Sequence, residues 1–406
     1  MSRDHRIETL AIAVVMIAVG ATPGLAATIE VTNANDSGPG SLRDAITQAE
    51  ATGVADEITF DADYTIVLDS TLPDITTEIS ILGKGWERTI IDGGMGRAGL
   101  GGVRAFTITT GFLTLDAVTV SNCDGSAVVS WVTGQLLITN SRLRRNKAFY
   151  GGAISSSGTV TLESTTFIDN ESNGGGAIDF AGSTLDATGC TFTGNSSAGG
   201  SVYTGTGGAV RAGGSFSAVD FTNCTFAGNT AEQRGGALSL EFGVSASLSF
   251  VTMAGNTATT IDSGIYLEDA GTNADITHSI ITDICADDGS GASLTTQGYN
   301  LDTGNTCGFN VGLKDLINTN PLLGALQANG GPTDTMAIPS TSSAVDAGGV
   351  SCGTVTTDQR GLPRPFDGDG NTTAECDIGA YEFQYLIFMD GFESGTTSAW
   401  SVVVPS

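Results

Sequence analysis

The sequence predicts an all-β chain wound as a parallel β-helix, and three observations carry that prediction. The first is a repeat. Ser141-Arg142-Leu143 leads to Asn146 and then Gly151-Gly152-Ala153-Ile154, and Thr165-Thr166-Phe167 leads to Asn170 and then Gly175-Gly176-Ala177-Ile178. Cys190-Thr191-Phe192, Asn195 and Gly207-Gly208-Ala209-Val210 follow the same order, as do Cys224-Thr225-Phe226, Asn229 and Gly235-Gly236-Ala237-Leu238. Val251-Thr252-Met253 and Asn256 close the series with a weakened Ser263-Gly264-Ile265. The Asn-to-Asn intervals are 24, 25, 34 and 27 residues, a period that marks stacked supersecondary units. The second observation is the content of the unit: short β runs, Gly-rich corners and no helical periodicity. The third is the alternation within it, a small residue followed two positions later by a bulky apolar one.

That alternation defines a core column. Side chains two apart in a strand share a face. Leu143, Phe167, Phe192, Phe226 and Met253 therefore point inward beside the small Ser141, Thr165, Cys190, Cys224 and Val251. Coils stacked at the usual strand spacing, about 4.8 Å, place identical residues in ladders. Asn146, Asn170, Asn195, Asn229 and Asn256 form a second ladder at the corner after the strand, where Asn is expected to take the left-handed conformation and to hydrogen-bond along the backbone. The Gly pair serves the next corner, where positive φ or close backbone approach excludes a Cβ. Repetition at coil period is a scaffold property, so both ladders are read as structural.

Neighbouring segments join the same frame. Val118-Thr119-Val120 is followed by Cys123 where the Asn belongs. Ala274-Asp275-Ile276 with Ser279-Ile280-Ile281 supplies a later coil. Glu57–Phe60, Thr65–Leu68 and Ile79–Leu82 are strand-like alternations upstream. Roughly ten coils, a rod of about 50 Å, are expected from the strand spacing.

The 406 residues exceed one ordinary globular core but suit one solenoid, whose core grows lengthwise. Asp and Glu number 44 against 16 Lys and Arg, for a net charge of -28. Charge-driven binding to nucleic acid, anionic lipid or acidic polysaccharide is thereby disfavoured. Arg3, His5 and Arg6, the apolar run from Leu10 to Val19 and the small Gly24-Leu25-Ala26 predict a signal peptide over residues 1–26. The run is too short for a membrane span, and no later segment approaches one. Export permits disulfides among the seven cysteines. Cys285 and Cys307 bracket one loop and Cys352 and Cys376 another, so both pairs read as staples. Cys190 and Cys224 occupy the same inward position in successive coils, which suits a disulfide or a reduced ladder equally; Cys123 is left over.

Ser41 is the expected N-cap of a short helix opened by Gly38-Pro39-Gly40-Ser41-Leu42-Arg43-Asp44-Ala45-Ile46, with Asp44 in capping-box position and Ala45, Ile46 and Ala49 on one face. Such a helix suits the open end of a solenoid, whose exposed edge invites pairing with other chains.

Gly40 to Ile46 resembles the CSLREA-type N-terminal element of secreted bacterial β-helix proteins. The Phe-x-x-Asn and Gly-Gly-Ala-Ile repeats are similar to those of chlamydial polymorphic outer membrane proteins. Asn320 to Gly324, Asn329 to Thr333, Ser343 to Gly348, Thr357 to Gly361 with Arg364-Pro365, and Cys376 to Glu382 resemble the choice-of-anchor Q region. These resemblances imply a right-handed parallel β-helix, secreted or on the outer surface of a bacterial cell. They divide the chain into a signal peptide (1–26), an N-terminal cap (27–56), coils (57–318), a choice-of-anchor Q-like region (319–383) and a tail (384–406). The tail, Phe388 to Gly395 with Trp400-Ser401, resembles a C-terminal element of exported proteobacterial proteins. It offers a sorting signal or a last strand, and no room for the membrane barrel that polymorphic outer membrane proteins carry.

The right-handed β-helix, the pectin-lyase-like solenoid, also bears polysaccharide-cleaving enzymes, so chemistry must be sought residue by residue. Of two histidines, His5 lies in the signal peptide and His278 has no ligand-spaced partner, which reads as a lone turn or surface histidine. No strand carries the paired Asp of an inverting hydrolase. Arg142, Arg144, Arg145 and Lys147 form the one basic cluster, read as neutralising acidic neighbours on adjacent coils rather than as a site for an acidic sugar. Asp367, Asp369 and Asn371 alternate on a Gly-rich loop that suits Ca²⁺, the only cofactor the sequence suggests, although the loop departs from an EF-hand at Thr372 and Ile378. No catalytic residue is assigned. The leading reading is a non-enzymatic surface adhesin or glycan-binding scaffold with a carbohydrate or cell-surface ligand. A polysaccharide lyase or hydrolase and a structural envelope component are the alternatives. An enzyme predicts a groove lined by aromatics with clustered acids or Lys on adjacent coils; an envelope component predicts a featureless flank and strong self-association.

Overall fold

A computed structural model describes residues 26–96, 102–199, 204–214, 217–261 and 264–384. The expected signal peptide, apart from its last residue, and the tail from 385 onward lie outside the described residues, as does Ser263. The described residues wind a parallel β-helix whose flanks are sheets of eleven, ten and eight strands. Strands that lie side by side in each sheet come from successive coils and pair in parallel, as Thr159–Glu163 does with Thr184–Thr188 and Ile154–Ser156 with Ile178–Phe180.

The helix Leu42–Thr52 begins at Ser41, whose hydroxyl accepts from the Asp44 backbone N–H. The Asp44 carboxylate reaches back to the N–H of Gly40, the residue before the cap, one position short of the usual capping-box partner. Leu42, Ala45, Ile46 and Ala49 are buried, and the helix packs on the first strands of the eleven-stranded sheet, closing that end of the core.

Leu143, Phe167, Phe192, Phe226 and Met253 occupy one register row of the ten-stranded sheet, and all five are fully buried. The Phe192 ring stacks between Phe167 at 4.8 Å and Phe226 at 4.6 Å, each within 5° of parallel. Phe221, from the eleven-stranded sheet, stands edge-on to both Phe192 and Phe226. Its register partner in the coil before is Ala187, and that small side chain leaves the space a second aromatic column would otherwise crowd.

The asparagines form the second column. The Oδ1 of Asn170 accepts both the backbone N–H (3.1 Å) and the side-chain N–H (3.0 Å) of Asn146. Asn195, Asn229 and Asn256 repeat this one coil on. Each Nδ2 also donates backwards, as from Asn170 to the Leu143 carbonyl and from Asn229 to the Phe192 carbonyl. The five side chains are buried, so this complete pairing is what makes them tolerable. One expectation is corrected here. The ladder asparagines do not adopt the left-handed conformation; the residue before each does, at Arg145, Asp169, Gly194, Gly228 and Gly255. The turn is made by that preceding residue, which leaves the Asn side chain pointing inward along the stack. Cys123 and Asp283 stand at the two ends: the Cys123 N–H donates to Asn146, and the Asp283 carboxylate accepts from Asn256.

The Gly pairs hold the next corner for two different reasons. Gly175 has φ +65°, and a Cβ on Gly176 would lie 2.0 Å from the Gly208 carbonyl oxygen. Disulfides link Cys285 to Cys307 and Cys352 to Cys376. Cys190 and Cys224 are free, with the Cys190 N–H 3.4 Å from the Cys224 sulfur, so the small column remains a reduced ladder; Cys123 is also free and buried.

Phe192→Ala removes one ring from the middle of the aromatic stack and should cost about 3–5 kcal/mol in denaturant unfolding. Asp283 tests the polar ladder. Burial raises its carboxyl to about 6 from 3.8. A raised acid contributes its stability below its unfolded pKa and loses it as pH climbs through the folded value. Asp283→Asn continues the ladder without charge, so the variant should match wild type near pH ~4 and exceed it by about 2–3 kcal/mol above pH ~7.

Candidate functional site

Two of the three flanks are distinguished by what lies on them. The ten-stranded sheet is covered outside as well as filled inside. Its outward Thr191, Thr225 and Thr252 are buried beneath the segment that follows the coils. The Gln359 side chain donates to the Thr191 hydroxyl and to the Cys190 carbonyl, and accepts from the Thr225 hydroxyl. Thr333 donates to the Gly189 carbonyl, and the Ala380 N–H donates to the Thr252 hydroxyl.

Behind those contacts lies a buried ion network. Arg360 pairs with Asp358 at 2.7 Å and stacks on Tyr381 at 3.6 Å. Arg364 lies 3.3 Å from Glu382, over the Phe250 ring at 4.1 Å, and donates to the Asp377 and Gly379 carbonyls. The remaining carboxylate oxygens are taken by backbone, from Phe366 and Asp377 to Glu382 and from Asp346 to Asp377. Burial holds the Asp377 and Glu382 carboxyls above their ordinary range; Glu382 adds to the effect at Asp377, and Arg364 opposes it at Glu382. The Thr357–Gly361, Arg364 and Cys376–Glu382 motifs thus act together as a clamp on the solenoid.

His278 belongs to the same junction. It is half-buried at a left-handed corner (φ 49°), stacked between Phe250 and Tyr299, with Nε2 3.0 Å from the Gly348 carbonyl oxygen. Burial lowers its pKa.

Asp367 and Asp369 come together with Asp346, 21 positions before Asp367 and within the Ser343 to Gly348 motif; one oxygen from each lies within 4.8 Å of the others. Their oxygens already accept backbone N–H groups of the loop: Gly370, Asn371 and Thr372 donate to Asp367, and Gly368 and Asp369 donate to Asp346. The Asn371 side chain donates to Asp369 and accepts from the Thr373 N–H. Burial, with Asp369 and Asp367 adding to it, raises the Asp346 carboxyl.

The basic cluster disperses. Lys147 pairs with Glu171 at 2.6 Å and Arg145 with Asp169 at 3.9 Å, both on the next coil. Arg142 stacks on Trp86 at 3.6 Å.

The outer face of the eight-stranded sheet carries the strongest candidate. Its central row runs Val129, Ser155, Asp179, Arg211, Ser239 and Tyr266 through consecutive coils. Arg211 bridges Asp179 at 3.1 Å and Glu241 at 2.9 Å. The other Glu241 oxygen accepts from Thr206 and Ser239. Arg234 pairs with Glu268 at 2.9 Å and lies over the Tyr266 ring at 4.8 Å. Burial pushes the Asp179 carboxyl up to about 6, with Arg211 opposing. The sequence offers no single strand with paired acids. The two acids gathered here come from different coils, so no local motif announces them.

Next to this ion row, the sheet floor opens into a cleft of about 290 Å³. Val129 and Ser155 form its floor, Phe149 and Tyr150 one wall and Trp131 the other, with Arg104 at the rim. Phe149, Trp131 and Tyr150 are 61%, 54% and 40% exposed. Phe149 meets Tyr150 edge-on at 4.7 Å, and Arg211 reaches to 6.0 Å from the Tyr150 ring. The sequence did hold a signal. Phe149-Tyr150 precedes its Gly pair where the other coils place Asn173-Gly174, Gly205-Thr206 and Gln233-Arg234.

Similarity to known proteins bears on the architecture. Residues 98–216 match the right-handed beta helix region family model, and residues 223–241 match the Chlamydia polymorphic membrane protein repeat. The chain is therefore a right-handed parallel β-helix that carries, at residues 223–241, a repeat of the polymorphic membrane protein type. A crystal structure of pectate lyase Pel9A is similar at 13% identity and a TM-score of 0.37, over 88% of this chain and 96% of that one; so low a score carries no argument. No curated protein matches the chain. No helix among the described residues is long and apolar enough to cross a membrane.

Arg364→Ala strands Glu382 and Asp377 as buried carboxylates without their cation. It should cost about 3–5 kcal/mol, the usual penalty for breaking a buried ion pair from one side. Hydrogen exchange should rise first in residues 319–383 while the solenoid strands stay protected.

Proposed function

We propose that this protein is exported and works at or outside a bacterial cell surface by binding a glycan, through the cleft between Trp131 and Phe149-Tyr150. The observation that carries the reading is the exposure of three large aromatics around one sheet-floored cleft. Exposed apolar groups gathered in a polar rim mark binding sites, and aromatic rings offer a flat apolar face to the C–H face of a sugar. The polymorphic membrane protein repeat and two disulfides support the extracellular setting. The signal peptide, the CSLREA-like and choice-of-anchor Q-like assignments and the division of the chain at 26, 56, 318 and 383 belong to this proposal.

A glycan array probed with the purified protein tests it. Trp131→Ala and Tyr150→Ala should each lower affinity by about tenfold, the scale expected when one stacked ring is removed. Retention of every array signal by both variants places the binding elsewhere.

One observation favours a second reading, polysaccharide cleavage: Asp179 and Glu241, on the coils either side of the Arg211 coil, gather beside an aromatic cleft. Against it, Asp179 and Glu241 are both engaged by Arg211. Reducing-end release measured on the array's binders decides between the two; turnover abolished in Asp179→Asn establishes the enzyme.

The Asp346, Asp367 and Asp369 cluster is proposed as the place where Ca²⁺ acts, by relieving repulsion among three carboxylates. The melting temperature should be higher with millimolar Ca²⁺ than with chelator. Most of that gain should vanish in Asp367→Ala with Asp369→Ala.

A further inference from the structure

Resting on the glycan-binding reading, we infer that the ligand is an uncharged glycan, because the arginines of the ion row beside the cleft are already paired with acidic groups of the chain itself and the chain as a whole is strongly acidic. Arg211 is held by Asp179 and Glu241, and Arg234 by Glu268. Arg104, at the rim, donates Nε to the Gly125 carbonyl oxygen at 2.8 Å. A uronic or sulfated sugar that turned to Arg211 or Arg234 would have to displace one of these carboxylates, and Glu241 is fixed further by accepting from Thr206 and Ser239. It would also approach a chain of net charge -28, whose field opposes anions at long range.

The cleft offers an uncharged sugar what it needs. Ser155 on the floor and Ser157 at the Trp131 side have hydroxyls without a hydrogen-bond partner among the described residues, and both line the cavity. They can each donate and accept, which matches a sugar hydroxyl and does not require charge. The walls supply stacking surface on both sides of that floor. Pockets of this make-up, apolar walls with a few placed polar groups, are the usual form of a small-ligand site.

The test titrates wild type, Trp131→Ala and Ser155→Ala with two probe series: oligosaccharides of neutral hexoses and pentoses, and oligogalacturonates. Each series is run at about 0.02 M and about 0.5 M salt, between which the screening length falls several-fold. The expected result is binding of a neutral series that changes less than threefold with salt and weakens tenfold or more in Trp131→Ala. Trp131 is half exposed, so that variant is not at risk of misfolding, and Ser155→Ala gives an independent polar readout. Tighter binding of oligogalacturonate, abolished in Trp131→Ala and weakened by salt, overturns the uncharged-ligand inference and leaves the glycan-binding reading intact. Binding of either series that is unchanged in both variants, or of neither, overturns the cleft itself.

Discussion

Everything in this molecule depends on one constraint: each coil must sit in register on the last, so that like residues stack. The asparagine column enforces it. A ladder Asn is fully satisfied only when its neighbour lies one coil above, because one Oδ1 receives two N–H donors from below while its Nδ2 turns to a carbonyl of the coil beneath. A slip of one residue would leave a buried amide unpaired, at a cost of about 1–3 kcal/mol per group. The phenylalanine stack adds area but less direction, since apolar contact tolerates sliding more than a hydrogen bond does. The two columns are therefore complementary: the rings supply the burial and the amides fix its register.

That register has a consequence for the outer faces. Once coils are locked, side chains from residues 24 to 34 positions apart become rung neighbours, and each flank acquires a surface that no short stretch of sequence encodes. One flank, the ten-stranded sheet, is taken up by the segment after the coils. Its outward threonines pair with Gln359 and with backbone groups, and buried Arg360 and Arg364 hold the cover in place. A sheet buried on both faces cannot serve a ligand there. The eight-stranded sheet remains open in the Trp131 to Tyr150 region, and the ion row beside it rigidifies the floor rather than presenting free charge. The open cleft thus lies on a different flank from the one covered by the chain's most recognisable motifs.

The repeat made most of the solenoid legible in advance. Phe167, Phe192 and Phe226 could be placed in one column because strand side chains alternate, and the Gly pairs because a corner either needs positive φ or has no room for a Cβ. The capping of Leu42–Thr52 by Ser41 followed from local chemistry, and the two disulfides from loop bracketing. The conformation of the ladder asparagines did not follow. Asn is permissive of left-handed φ, yet Arg145 and Asp169 adopt it instead, because the stacked hydrogen bonds require the Asn side chain to point into the core. The pairing state of Cys190 and Cys224 was also open, since equal positions on successive coils set proximity but not bond formation.

The sequence by itself determined the coil, its core and its acidic, sparsely basic surface, because these rest on periodicity and composition that are local to each repeat. Only the tertiary structure decided which charges meet and which aromatics share a cleft. Asp346 joins Asp367 and Asp369, Arg211 finds Asp179 and Glu241, and Trp131 faces Phe149 and Tyr150 across a strand floor. Each of those meetings joins residues from separate coils or from opposite ends of a turn. Stacking height and corner geometry set them, and neither is written in the order of residues along one strand.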